Sequence, residues 1–148
     1  YNENEELRLR ARIDEFEIVT RQADHDWVLF DLTETFADWL ASQRYAKSYL
    51  QKPELLATLL PKYLTYITSE FEKFLHDRAI DENFVVALKG VGSLFGFLKV
   101  KDVVDQFAPL VSGRLLVFFP GSYENNNYRL LDGYDGWNYL AIPITADK

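Results

Sequence analysis

Phe84-Val85-Val86-Ala87-Leu88-Lys89-Gly90-Val91-Gly92-Ser93-Leu94-Phe95-Gly96 is the stretch that decides the fold. Five consecutive apolar residues run into a loop punctuated by three glycines. A strand with one wet face would alternate apolar and polar residues, so an unbroken run predicts a strand covered on both faces. Trp27-Val28-Leu29-Phe30 repeats the pattern and ends at Asp31, after the polar Ala23-Asp24-His25-Asp26. Leu115-Leu116-Val117-Phe118-Phe119 repeats it again and is closed by Pro120-Gly121. Tyr139-Leu140-Ala141-Ile142 predicts a last strand.

Between these runs the apolar period changes from continuous to helical. Leu60, Tyr63, Leu64, Ile67, Phe71, Phe74 and Leu75 keep a spacing of three to four, predicting a long amphipathic helix to about Arg78. Pro53 and Pro61 suit first turns of helices, and Thr33 is placed to cap a helix carrying Phe36, Trp39 and Leu40. Val100, Val103, Val104 and Phe107 predict a helix over 100–111, with Gly113 where a C-terminal stop belongs. Residues 3–23 are expected to form a further helix, with Leu7, Leu9, Ile13, Phe16, Ile18 and Val19 loosely at helical spacing. Buried strands alternating with amphipathic helices predict an α/β fold. The expected form is three-layered, a mostly parallel sheet of four to five strands with helices on both faces.

The 148 residues amount to a single domain, 1–148. The chain opens on Tyr1-Asn2-Glu3 rather than Met, and is read as a piece of a longer protein whose sheet lacks its first strand. Absence of cysteine excludes disulfides, thiol nucleophiles and thiolate metal sites. With His25 and His76 as the only histidines, no His-rich metal site is expected. Net charge is −7, and the acids concentrate in the first half: residues 1–24 carry 4 basic and 7 acidic side chains, 25–82 carry 6 and 10, and 83–148 carry 6 and 6. Such a balance disfavours direct nucleic-acid binding. No apolar run reaches the ~20 residues of a membrane helix and nothing resembles a signal peptide, so the expected compartment is the cytoplasm.

The Gly90–Gly96 loop lies after the carboxyl end of a strand, where α/β folds place ligands. It departs from both phosphate-binding patterns at the residue that carries the mechanism. A P-loop needs Lys-Ser or Lys-Thr after the glycines, and a dinucleotide fingerprint needs glycine where Phe95 stands. The plainer reading is a tight turn in which Gly90 and Gly92 supply conformational freedom. The sharper one is a nonstandard ligand loop of Asp31, Gly90, Gly92, Ser93 and Gly96. Asp24 and Asp26 stand at the far end of their strand from Asp31, about five residues at ~3.3 Å each, too distant to share a metal. His76 reads as a dipole partner at its helix's C-terminal end.

Residues Pro120 to Trp137 hold Asn125, Asn126 and Asn127 with Tyr123, Tyr128, Arg129, Asp132, Tyr134, Asp135 and Trp137. The segment is expected to be a long loop. Asn, Asp and Gly suit turns, whereas aromatics with an arginine are the composition of an interface hot spot. Tyr123, Tyr128, Arg129, Asp132, Asp135 and Trp137 are therefore the candidate partner-binding residues. No catalytic residue, metal ligand or cofactor is assigned, and oligomeric state is left open.

The blocks Gly113-Arg114-Leu115-Leu116-Val117-Phe118-Phe119-Pro120-Gly121, Asn126-Asn127-Tyr128-Arg129-Leu130-Leu131-Asp132 and Asp135-Gly136-Trp137-Asn138-Tyr139-Leu140 fall in order. With Gly90–Phe97 and Trp27-Val28-Leu29-Phe30-Asp31-Leu32-Thr33, they resemble the BrxB family across essentially the whole chain. The resemblance implies a small component of BREX, a bacterial and archaeal phage-defence system. Such systems also contain an AAA-type ATPase, a DNA methyltransferase and the alkaline-phosphatase-like PglZ. BrxB proteins carry no assigned catalytic activity, so the resemblance supplies no catalytic residues. With the aromatic-rich 120–137 segment and no complete chemical site, the expectation is a noncatalytic adaptor that binds other BREX proteins, PglZ foremost. The alternative is a degenerate nucleotide- or phosphate-sensing domain using the Gly90–Gly96 backbone with Asp31 and Arg129.

Overall fold

The computed structural model describes residues 6–124, 127–130, 133–134 and 142–144. Helix α1 (Glu6–Gln22) leads into strand β1 (Asp26–Asp31). Helices α2 (Thr35–Ala41) and α3 (Ala46–Gln51), a 3₁₀ segment at Pro53–Thr58 and helix α4 (Leu60–Asp77) connect to β2 (Phe84–Lys89). A 3₁₀ turn at Val91–Leu94, helix α5 (Val100–Phe107) and a second 3₁₀ turn at Ala108–Leu110 lead to β3 (Arg114–Val117).

The three strands pair in parallel in the order β1-β2-β3. The fold is α/β, with three strands in this sheet among the described residues rather than four to five. Register aligns Asp31 with Lys89 and Leu88 with Val117, so the carboxyl ends of the strands share one edge. Val28, Phe30, Val86, Leu88, Leu115 and Val117 pack in the larger core with Tyr63, Ile67 and Phe71 of α4 and Val103 and Phe107 of α5. The alternate positions, Trp27, Leu29, Val85, Ala87, Leu116 and Phe118, meet Leu9 and Ile13 of α1 in a smaller cluster. Period two explains the division: neighbouring side chains of a strand belong to opposite faces. α1 is less inward-facing than its apolar count suggested, because Leu7, Ile18 and Val19 are exposed.

Several local expectations shift. Glu34, not Thr33, is the residue before α2, and its side chain makes no capping hydrogen bond. α5 stops at Phe107 because Pro109 has no N–H to continue the ladder, and the chain tightens into 3₁₀ geometry. Gly113 is no left-handed stop. A Cβ there would stand 2.1 Å from the Phe84 carbonyl oxygen, so glycine is required for close approach to β2. The expected loop after Pro120 contains β4 (Ser122–Glu124), β5 (Asn127–Leu130) and β6 (Gly133–Tyr134), an antiparallel sheet in that order. Of the predicted last strand, 139–141 lie outside the described residues and Ile142 is outside any strand. No described helix is long and apolar enough to cross a membrane.

Candidate functional site at the carboxyl edge of the sheet

Asp31 ends β1 and closes a turn onto Thr33. Its Oδ1 accepts the Thr33 backbone N–H at 2.9 Å and the Thr33 hydroxyl at 2.6 Å. Its Oδ2 lies 3.3 Å from Lys89 Nζ, the register partner on β2. Burial pushes the carboxyl up, but the Thr33 hydroxyl, the Thr33 N–H and the Lys89 ammonium outweigh it. The group is held below its ordinary value.

Gly90 follows β2 at φ +79°. A Cβ there would meet Thr33 Oγ1 at 2.5 Å, Thr33 N at 2.7 Å and Asp31 Oδ1 at 2.9 Å. Both the left-handed backbone and the close approach demand glycine. Ser93 ties the two turns together, with Oγ 2.6 Å from the Gly90 carbonyl and 3.1 Å from the Leu32 carbonyl. The Leu32 N–H donates to the Lys89 carbonyl at 2.9 Å. Beside this knot lies a cavity of about 160 Å³ lined by Arg10, Thr33, Gly90, Gly92 and Ser93.

Asp31, Gly90, Gly92 and Ser93 therefore lie together at this edge. Gly96 does not join them: it has φ +86° with nothing within 4 Å of an added Cβ, and does not line the cavity. Thr33, Lys89 and Arg10 were missed. Asp-x-Thr is the spacing of a side-chain turn and could have been recognised. Arg10 arrives from α1 by tertiary packing, which no local pattern encodes.

The chemistry available here is limited. A carboxyl held below its ordinary value is a weak proton acceptor near neutrality. The Ser93 hydroxyl donates to main-chain carbonyls, which cannot take its proton. His25 is exposed, its Nδ1 3.3 Å from the Asn83 carbonyl, and His76 lies in the last turn of α4. Among the described residues no cluster of three metal-ligating side chains occurs.

The partner-binding candidates fall on or beyond the second sheet. Tyr123 is the register partner of Tyr128, and Arg129 pairs in register with Ser122 and with Tyr134. Asp132, Asp135 and Trp137 lie outside the described residues.

No curated protein and no solved structure matches the chain. The family model described as BREX protein BrxB matches residues 28–143. That span takes in β1 from Val28 onward, the Asp31–Thr33 turn, β2, the Gly90–Ser93 knot and the second sheet. The chain belongs to the BrxB family of BREX proteins.

Proposed function

We propose that this protein is a noncatalytic adaptor of the BREX system, binding other BREX proteins and PglZ foremost among them. Membership of the BrxB family supplies the system. The observation that carries the adaptor role is the carboxyl edge. Its carboxylate, ammonium and hydroxyls bond to one another and to main chain, an arrangement that holds two turns in place. A second sheet rich in tyrosine, with Arg129 at its centre, supports a contact surface at 120–137.

The test is co-purification of the full-length protein with each other BREX component, with complex mass read by light scattering. A stoichiometric complex with PglZ is the expected result. Alanine at Tyr128, Arg129 and Trp137 together should then weaken it by about 2 kcal/mol or more, roughly 30-fold, without unfolding the domain. Unchanged binding by a folded triple variant would discard this surface. A lone monomer with every component would shift weight to the second reading, a phosphate-sensing domain. That reading rests on the cavity beside Gly90, which at about 160 Å³ is below the ~300–1,000 Å³ of pockets that enclose whole small-molecule ligands.

A further inference from the structure

β1 stands at one end of its sheet, and only one of its two edges is paired among the described residues. The Asp26 N–H donates to the Asn83 carbonyl at 3.2 Å, and the Leu32 N–H to the Lys89 carbonyl at 2.9 Å. With the β1–β2 register, those bonds turn the main chain of Asp26, Val28 and Phe30 toward β2. Successive residues of a strand direct their main-chain groups to opposite edges, so Trp27, Leu29 and Asp31 present theirs outward. The amino half of that outer edge is shielded: Arg21 Nη2 donates to the Trp27 carbonyl at 3.5 Å, and the guanidinium is paired with Glu17 and Asp26. Charged side chains are a common means of blunting an edge strand. No such shield covers the other half. Among the described residues, nothing bonds the outward N–H and C=O of Leu29 and Asp31.

Beside β1 lies an open groove of about 260 Å³, lined by Phe30 and, from the end of α4, by Glu70, Lys73, Phe74, Asp77 and Arg78. Its apolar part is Phe30 and Phe74, both half-buried, which meet edge-on at 5.1 Å between ring centroids. The Arg78 guanidinium lies 3.9 Å from the centre of the Phe74 ring. Glu70, Lys73, Asp77 and Arg78 supply two charges of each sign, and none makes an ion pair among the described residues. Edge and groove together specify an occupant. Outward N–H and C=O groups two residues apart, about 6.6 Å, are matched by an extended polypeptide, whose own groups repeat at that interval. A helix has already bonded its main chain along its length, and nucleic acid and lipid carry no such row. Every second side chain of an added strand falls on the α4 side of the sheet, where Phe30 and Phe74 lie.

We propose that the Leu29–Asp31 edge of β1 takes an extended segment of a partner protein as an added strand, with one apolar side chain of that segment in the Phe30–Phe74 groove. The inference rests on the adaptor reading and gives it a contact separate from the 120–137 surface. Main-chain bonds along the edge supply affinity, and the groove selects the sequence. The segment is short, because Arg21 closes the edge at Trp27. Its apolar residue is flanked by polar ones, since the groove carries charges of both signs around two rings.

Amide hydrogen exchange of the full-length protein, resolved by residue, tests this with and without the BREX component that co-purifies with it. Val28 and Phe30, bonded to β2, should exchange slowly in both samples. Leu29 and Asp31 should exchange fast in the protein alone and slow by roughly tenfold or more in the complex. Leu29→Pro removes an N–H that serves no bond to β2, a position where an edge strand tolerates proline. It should weaken binding by roughly tenfold, whereas Leu29→Ala, which keeps the N–H, should bind as the wild type does. If Leu29→Pro fails to fold, the wild-type exchange pattern decides alone. Slow exchange at Leu29 and Asp31 in the isolated protein overturns the proposal, because the edge is then already covered. Equal slowing of all four amides overturns it as well, since that reports general stabilisation. A complex in which Leu29 and Asp31 still exchange fast, or which Leu29→Pro leaves as tight, overturns this contact and leaves the adaptor reading standing. A protein that binds no component overturns both.

Discussion

Asp31 is the carboxylate on which two turns close, and its environment predicts a pH dependence. The unfolded group titrates near 3.8, and the folded one lies lower. A depressed folded value contributes stability that is present above the unfolded value and lost as pH falls through the folded one. Asp31→Asn keeps an acceptor at Oδ1 but loses the charge facing Lys89 and Thr33. The side chain is 45% exposed, so solvent screening limits the loss at neutral pH to under about 1 kcal/mol. Urea unfolding of both proteins should give a constant difference between about pH 5 and pH 8 that shrinks below the unfolded value. A difference that persists unchanged in acid would show that the carboxylate's charge contributes nothing. At this scale Asp31, Gly90, Gly92 and Ser93 were legible because each sits at a strand end or in the turn after it. Lys89 and Arg10 were not, because their roles depend on register and on packing of a helix remote in sequence.

Elements were legible where burial writes a period. α4 places Tyr63, Ile67, Phe71 and Leu75 at successive intervals of four, and all four are buried. Phe71 stacks on Phe107 of α5 at 4.1 Å between ring centroids and meets Phe30 of β1 edge-on at 5.2 Å. One ring thus joins α4, α5 and β1. Phe71→Ala removes it from a site with 0% exposure, where the cavity cannot be filled from solvent. The expected loss is about 3–5 kcal/mol, read as a fall in the urea midpoint with an unchanged slope. A loss under about 1 kcal/mol would mean that the three elements repack freely around the gap. The second sheet was not legible by the same rule. Its strands are short, polar and aromatic, so no apolar alternation marks them. The register of Glu124 with Asn127, and of Leu130 with Gly133, leaves two residues between strands in each case.

For the whole molecule, charge decides what it can approach unaided. Net charge is −7, and the densest cationic run, Arg8, Arg10 and Arg12, is followed within five residues by Asp14, Glu15 and Glu17. Arg12 lies 3.9 Å from Glu15 on the same helix. Duplex DNA is held mainly by cations that displace its counterions, and each phosphate contact steepens the dependence of affinity on salt by about 0.9 in logarithmic slope. An acidic domain whose basic run stands beside acids is poorly placed to collect several such contacts. On the adaptor reading it reaches nucleic acid through its partners. Anisotropy of a labelled duplex should therefore stay flat as the protein is added, at about 50 mM salt as at about 200 mM. Binding that is strong at the lower salt and lost at the higher would reveal a cationic surface that the charge order of α1 and the net acidity both argue against. If that binding also vanished in Arg8→Glu with Arg10→Glu, the arginines of α1 would be the phosphate contact, and the salt slope lost with them would count how many phosphates they hold.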